Sequence, residues 1–279
     1  MSAEETFELM RGHRAGVACG VTWLPDSSPV NALEPERLVS VAEEMHLDFM
    51  FVDGERSGAA QACGALDRFG TVPVWTVSGV IGRVAAAQGW AEVIRASAGT
   101  PSSLVASLAE ALHISLEAIR EGVRAGCQAF VVADDLSSSA GWLVSPDFAL
   151  DVAVPCYRNM AAEIAHGGGV VAFHSDGDIR ALYGALARAG FSAVHLAGLN
   201  AEATAGSVSA ARDVGLTPMA GISVGGIALQ GAHEAGVRAA ALAKAGSLLI
   251  CDDGGMSTPE ELALVGEAIA VARATLRSE

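Results

Sequence analysis

Eight short apolar runs recur along the chain, and segments with a helical pattern separate them. Most of these runs are almost continuously apolar, which is typical of parallel strands that are buried on both faces. The seventh run is the weakest because Pro218 interrupts it. We predict strands at Gly16–Thr22, Asp48–Asp53, Val72–Val77, Cys127–Ala133, Gly169–His174, Phe191–Leu196, Leu216–Ile222 and Gly246–Cys251.

The segments between the strands are predicted to form helices, among them Glu34–Met45, Ser102–Ala125, Pro146–His166, Ile179–Ala189 and Ala232–Ala245. Several end in Ala-Gly directly before a strand, where glycine supplies the left-handed conformation of a helix C-cap. Eight strands that alternate with helices predict an α/β fold, a single (β/α)8 TIM barrel domain over residues 1–279. A doubly wound open sheet is the alternative. Its dinucleotide-binding form is disfavoured because no G-x-G-x-x-G follows the first strand.

The composition limits the kinds of partner that this chain can bind. Asp and Glu total 32 against 17 Lys and Arg, which gives a formal net charge of −15, and 51% of the residues are hydrophobic. Such a chain is too apolar to be disordered. It also lacks the basic surface that nucleic acids and anionic membranes require, so we expect neither as a partner.

The cysteines and the first residues bear on the cellular compartment. The five cysteines are scattered and never form C-x-x-C, which indicates free thiols in a reducing environment. The opening Met-Ser-Ala-Glu-Glu-Thr has neither the basic nor the apolar region of a signal peptide. No apolar run is predicted to be long enough to span a membrane. We therefore expect a cytoplasmic protein.

Polar residues collect at the carboxyl ends of the predicted strands, which is where a barrel of this type has its active site. Four of these ends carry carboxylates and two carry histidines. Asp is common in turns and at helix N-caps, but several acids that converge with histidine would create a site for cations. The candidate residues are Asp53, Asp134, Asp135, His174, Asp176, His195, Asn200, Ser223, Cys251 and Asp253.

Two roles are open for the histidine at the end of the fifth strand. His174 and Asp176, together with Cys251 or Asp253, form a donor set for Zn²⁺. Alternatively, His174 and Asp176 act directly in acid–base chemistry or hydrogen bonding, with Asp135 as the third catalytic residue. A cysteine that ends an apolar run is also often no more than a small buried hydrophobe.

The remaining candidates are predicted to contact the substrate: Asp53, Asp134, His195, Asn200 and Ser223. His195 lies on an apolar strand and is equally consistent with a hydrogen-bonded core histidine. The Gly-rich segment 221–226 either approaches an anionic ligand closely or forms only a turn.

Three stretches carry a resemblance to a known family: ADDLSSSAGWLVSPDF at residues 133–148, FHSDGD at 173–178 and GSLLICDDGGMSTPEE at 246–261. They resemble the uroporphyrinogen decarboxylase superfamily, which also contains methyltransferases that exchange methyl groups with corrinoid proteins. The resemblance extends from about Val72 to the C-terminus. It implies the same (β/α)8 barrel, shortened at its N-terminal end relative to other members.

The substrate that names the superfamily does not suit this sequence. Uroporphyrinogen is a polyanion, and the family's N-terminal arginine motif is absent, although Arg11 and Arg14 stand near its place. An acidic rim would repel such a substrate. The methyltransferase branch resembles zinc enzymes with a His-x-Cys pair after the fifth strand and a cysteine after the eighth. Here the pair is His174 and Asp176, and the last position falls at Asp253, with Cys251 two residues earlier.

The resemblance therefore implies a corrinoid-linked methyltransferase. Such an enzyme moves a methyl group between the cobalt of a separate corrinoid protein and a small molecule: a methyl ether, a methylamine-type compound or a tetrahydrofolate. The cofactors implied are zinc and the corrinoid of the partner protein. Oxygen ligands in place of thiolates make a metal a better Lewis acid and argue against a thiol acceptor.

Two alternatives stay open. The first is a decarboxylase of another carboxylated substrate, which a pocket lined by Arg83 and Arg180 would favour. The second is a catalytically silent barrel that binds a corrinoid or a partner protein.

Overall fold

The computed structural model describes residues 1–22 and 33–278. Eight strands pair in parallel around a closed barrel, each with its neighbour along the chain and the last with the first. They are β1 Val17–Thr22, β2 Phe49–Asp53, β3 Val72–Ser78, β4 Ala129–Ala133, β5 Val170–Asp176, β6 Ala193–Ala197, β7 Thr217–Ile222 and β8 Leu248–Asp252. The closed barrel confirms the predicted (β/α)8 fold and excludes the open sheet.

Helices surround the strands and continue the alternation. They are α1 Ala3–Met10, α2 Pro35–Glu44, α3 Ala59–Phe69, α4 Val80–Gln88, α5 Trp90–Gly99, α6 Val105–Arg124, α7 Pro146–Phe148, α8 Val154–His166, α9 Tyr183–Ala189, α10 Ala201–Asp213, α11 Val224–Gln230, α12 Ala232–Lys244 and α13 Pro259–Arg277. Ala149–Ala153 is π-helical, and Pro101–Leu104 and Arg180–Leu182 are short 3₁₀ turns. A small hairpin pairs Ser137–Ser138 with Gly141–Trp142 between β4 and α7.

Local signals in the sequence account for several helix ends. Two of the Ala-Gly pairs behave as predicted, since Gly126 and Gly190 adopt φ angles of +86° and +103° after α6 and α9, whereas Gly246 after α12 has a φ of +143°. Thr258 begins α13 with a capping box, in which its side chain and that of Glu261 each accept a backbone N–H from the other residue.

Helix α1, which the sequence analysis did not predict, covers the amino-terminal end of the barrel. Leu9 and Met10 are buried in the same apolar cluster as the inward-facing residues of the strands. The hydroxyl of Thr217 on β7 donates a hydrogen bond of 3.1 Å to the carbonyl oxygen of Leu9. The amino-terminal end of the barrel interior is therefore filled by side chains, as in other barrels of this class.

Gly20 on β1 leaves the space that the Phe49 ring occupies inside the barrel. A Cβ atom at residue 20 would lie 2.3 Å from the Cδ2 and Cε2 atoms of that ring. We expect Gly20→Ala to lower the free energy of unfolding by about 2 kcal/mol because the ring is held in a packed interior. Urea denaturation followed by circular dichroism measures the change.

Gly99 near the end of α5 provides the matched control, because a Cβ atom there would meet nothing within 4 Å. Gly99→Ala is expected to leave the stability unchanged or to raise it by less than about 1 kcal/mol. Equal stabilities of the two variants would contradict the close packing of Phe49 against Gly20.

One outer helix differs from the sequence expectation about membrane spans. The segment Pro101–Arg124 is long and apolar enough, by length and composition alone, to cross a membrane. Most of it forms α6, which buries Leu108, Ala111 and Ile119 and packs against α4 and α8. An outer helix of a barrel meets the same two criteria, so this segment is weak evidence for a membrane span.

Candidate functional site

Two histidines lie side by side at the mouth of the barrel, the end formed by the carboxyl ends of the strands. The register of β5 and β6 pairs His174 with His195, and the imidazole centroids are 4.7 Å apart with the rings inclined by 34°. Phe51 of β2 also stacks on His195, with the ring centroids 5.1 Å apart and the rings inclined by 28°.

His195 is buried and anchored by the backbone. Its Nε2 atom lies 2.7 Å from the carbonyl oxygen of Asp252. Because a carbonyl oxygen only accepts, Nε2 carries a proton and donates it to this bond. His195 thus links β6 to the end of β8, a contact that a core histidine makes and that also fixes its ring beside His174.

The candidate site is centred on a cluster of three side chains, those of His174, Asp135 and Asp176. The Nε2 atom of His174 lies 3.9 Å from Oδ1 of Asp135 and 4.0 Å from Oδ1 of Asp176. One ligand atom from each of the three residues lies within 4.8 Å of the others. Asp135 Oδ1 also accepts a 3.0 Å hydrogen bond from the backbone N–H of Asp176, which ties the end of β4 to that of β5.

The electrostatics of the cluster favour a cation. Burial, and then the charge of His195, lower the pKa of His174 to about 3, so its imidazole is neutral at ordinary pH. Burial raises the pKa of Asp176, and the charges of Asp135 and Asp253 raise it further. A neutral imidazole beside several carboxylates attracts positive charge, because a cation would relieve their mutual repulsion.

The donor set fits a divalent metal ion. Two atoms that share an ion at about 2.1 Å can be at most about 4.2 Å apart, and the two distances from His174 Nε2 meet this limit. Among the described residues, Nδ1 of His174 is buried without a hydrogen-bond partner. Neutral imidazole and carboxylate are ligands that zinc accepts.

The two other predicted ligands do not join this cluster within the described ranges. Cys251 lies deeper in β8, fully buried in the apolar interior, and burial raises the pKa of its thiol well above the usual range. Asp253 Oδ1 accepts a 2.9 Å hydrogen bond from the backbone N–H of Val224. The structure therefore places Asp135, rather than Cys251 or Asp253, as the third member of the cluster.

Asp134, the neighbour of Asp135, faces the helices instead of the mouth. Its carboxylate accepts hydrogen bonds from the backbone N–H groups of Ile81 (2.8 Å) and Gly82 (2.6 Å) and from the hydroxyl of Tyr157 (2.7 Å). It is 2% exposed, so a substrate in the mouth does not reach it. Sequence reasoning expected a substrate contact here, and no sequence signal pointed to Tyr157.

Asp252 is a buried residue of the site that sequence reasoning missed. Its carboxylate accepts hydrogen bonds from the backbone N–H groups of Thr22 (2.6 Å) and Gly255 (2.7 Å). It joins the end of β8 to the end of β1, and its carbonyl oxygen holds His195. The doublet of Asp252 and Asp253, read with the two-residue alternation of a strand, was the available signal.

The remaining acidic and polar candidates lie around the rim. Asp53 ends β2 on the same face as Phe51, and burial raises the pKa of its carboxyl. Asn200 and Ser223 cap the first turns of α10 and α11 through bonds to the N–H groups of Ala203 and Gly226. They are not part of the histidine–carboxylate cluster.

Arg83 and Arg180, the two arginines that would favour a decarboxylase, both form ion pairs with acidic side chains. Arg83 donates to Glu55 at 2.6 Å and to the hydroxyl of Ser115 at 2.7 Å. Arg180 donates to both oxygens of Asp178 in its own loop. Both guanidinium groups therefore already have a carboxylate partner.

The fold and site together define a (β/α)8 barrel with an acidic, histidine-containing mouth. The sequence profile described as "Uroporphyrinogen decarboxylase (URO-D)" matches residues 73–234, which is more than half of the chain. The chain therefore belongs to the uroporphyrinogen decarboxylase family, as the resemblance in its sequence predicted. No curated protein sequence matches it.

Solved structures show the same fold at low sequence identity. A methyltransferase from Methanosarcina mazei superimposes with a TM-score of 0.75 at 14% identity, covering 99% of both chains. A D-psicose 3-epimerase from Clostridium cellulolyticum H10 gives 0.59 at 10% identity, covering 93% of this chain and 99% of its own. A chitinase from Chromobacterium violaceum gives 0.56 at 10% identity, covering 91% and 99%.

Proposed function

We propose that this protein is a corrinoid-linked methyltransferase that transfers a methyl group between a small molecule and the cobalt of a separate corrinoid protein. The cluster of Asp135, His174 and Asp176, at the mouth of a barrel of this family, is the observation that carries the proposal. The methyltransferase among the structural neighbours supports it, since that neighbour matches over nearly its whole length. We place this reaction in the cytoplasm.

His174, Asp135 and Asp176 would hold a divalent metal ion, and we propose zinc as that metal. A bound metal supplies a Lewis acid that withdraws electron density from the atom carrying the methyl group. The chain's own residues hold the site in shape: His195 packs against His174, and the N–H of Asp176 orients Asp135. Asp135 and Asp176, each with 47% of its side chain exposed, face arriving substrate.

The charge at the mouth selects the class of substrate. The charges of Asp135 and Asp253 both raise the pKa of Asp176, and Asp53 ends a strand on the same rim. Carboxylates repel a polyanion such as uroporphyrinogen, and Arg83 and Arg180 are already paired with acids. A neutral or cationic methyl compound, such as an ether or a methylamine, suits this mouth better.

The test measures the change in the absorption spectrum of the corrinoid when its cobalt is methylated. Zinc-loaded protein is mixed with cob(I)alamin and, in turn, a methyl ether, a methylamine or methyltetrahydrofolate, and methylcobalamin formation is followed by absorbance. We expect one donor class to react and Asp176→Ala to slow that reaction by roughly 100-fold, because it removes a metal ligand. The Glu110→Ala variant, altered at an exposed residue of α6, serves as the control.

Three further measurements make the result decisive. Methylcobalamin is offered with tetrahydrofolate or with a thiol acceptor, and carbon dioxide release is measured with porphyrinogen substrates. Methyl transfer in either direction supports the proposal. Absence of transfer with every donor and acceptor, or release of carbon dioxide from a porphyrinogen, would contradict it.

A further inference from the structure

A cavity of about 510 Å³ opens on the outer wall of the barrel, where α10 and α12 flank β7. The buried side chains of Leu196 and Ile222 contribute to its lining, and Ala201, Ala205 and Ala241 line it from the two helices. Small residues on the helices leave the space open. Its volume falls in the range of sites that hold small organic molecules.

Arg238 of α12 lines this cavity and is half-buried. Within residues 1–22 and 33–278 it makes no ion pair and no hydrogen bond, in contrast to Arg83, Arg180 and Arg212. A guanidinium beside an apolar surface is stabilised by an anion, because partial burial removes part of its hydration. The cavity is therefore lined by a positive charge that no described carboxylate pairs with.

Two further hydrogen-bond donors line the same cavity. Asn200 uses its Oδ1 atom to accept the N–H of Ala203, which leaves its amide NH₂ group to donate. Ser223 Oγ accepts the N–H of Gly226, which leaves its hydroxyl proton to donate. Together with the Arg238 guanidinium, these two groups offer hydrogen-bond donors to a negatively charged ligand group.

Asp253 also lines the cavity and limits the ligand's charge. Its carboxylate accepts the N–H of Val224, yet it still carries negative charge into this region. A ligand with several negative charges would be repelled, whereas one anionic group near Arg238 would be stabilised. The charge pattern therefore fits a monoanion better than a polyphosphate.

We propose that this cavity binds a small organic monoanion. The apolar body of the ligand packs against Leu196, Ile222 and Leu242, and its anionic group is bound by Arg238 with Asn200 or Ser223. The proposal does not rest on methyl transfer, since the cavity lies outside the histidine–carboxylate cluster and its occupation is measurable in the metal-free protein.

The test uses two probes of similar shape and different charge. 8-Anilinonaphthalene-1-sulfonate carries one sulfonate on an apolar body, and N-phenyl-1-naphthylamine lacks the sulfonate. Fluorescence titration is expected to give one saturable site for both in the wild type. Arg238→Gln should weaken sulfonate binding by about tenfold, leave the neutral probe unchanged, and be partly rescued in Arg238→Lys.

Matched variants locate the probe on the molecule. Arg188→Gln removes an exposed arginine of α9 and should change neither affinity. Ala241→Trp fills the cavity and should abolish saturable binding of both probes, with circular dichroism checking that each variant folds. Three outcomes would overturn the proposal. The affinity for the sulfonate could be unchanged in Arg238→Gln, or that variant could lose affinity for both probes equally. The third outcome is saturable binding of either probe in Ala241→Trp.

Discussion

We expect His174→Ala to weaken Zn²⁺ binding by roughly 100-fold or more relative to the wild-type protein. His174 supplies the neutral imidazole of the cluster, because its pKa is lowered to about 3 by burial and by His195. Without it, two carboxylates remain, and carboxylates alone bind zinc poorly. Isothermal titration calorimetry with a competing chelator measures the affinity, and metal analysis of the purified protein measures the content.

Three variants sharpen this prediction. His13→Ala removes an imidazole whose side chain is 65% exposed, and it should bind zinc as the wild type does. Asp135→Asn and Cys251→Ser separate the cluster in the structure from the ligand set suggested by the family resemblance. We expect the first to weaken binding and the second to have little effect. Equal zinc binding by wild type and His174→Ala, or loss of binding in Cys251→Ser alone, would refute the cluster as the metal site.

Asp134→Ala is expected to lower the free energy of unfolding by about 4 kcal/mol, because it leaves three hydrogen-bond donors without an acceptor in a buried place. These donors are the N–H groups of Ile81 and Gly82 and the hydroxyl of Tyr157. Asp134→Ala therefore acts on the link between β4, α4 and α8, and urea denaturation gives the size of the change.

The adjacent residue is the control. Asp135 has 47% of its side chain exposed at the mouth, so Asp135→Ala should change the stability by less than about 1 kcal/mol. Tyr157→Phe should be intermediate, at about 1 to 2 kcal/mol, since it removes one of the three bonds to Asp134. Similar stabilities of Asp134→Ala and Asp135→Ala would contradict the placement of these two carboxylates on opposite sides of the barrel wall.

Asp134 and Asp135 show which part of the site could not be predicted from the sequence. Asp134 and Asp135 are equal as strand-end carboxylates, and both were expected to act on the substrate. The alternation of a strand turns neighbouring side chains to opposite faces, so only one of them reaches the mouth. The doublet of Asp252 and Asp253 divides in the same way: the first is buried as a link to β1, and the second lies at the mouth beside a cavity.

Helix α1 was missed for a different reason. Ser2 precedes its eight residues and forms a capping box with Glu5, but the apolar positions of the helix resemble those of any short amphipathic segment. This helix is held in place by tertiary packing, because Leu9 and Met10 fill the interior of the barrel at its amino-terminal end. That space exists only once eight strands have paired, so no local pattern indicates it.

The sequence by itself determined the eight strands, the helices that alternate with them, the family and the collection of acids at one end of the barrel. The strands, the helices and the placement of the acids follow from periodicity and from turn and cap residues, which act over a few positions along the chain. The family follows instead from the resemblance of residues 133–148, 173–178 and 246–261 to known members. Only the tertiary structure decided that Asp135 joins His174 and Asp176, that Cys251 stays in the apolar interior, and that Arg238 has no ion-pair partner among residues 1–22 and 33–278. Such contacts join residues that lie far apart along the chain, and the barrel's register and side-chain alternation set them.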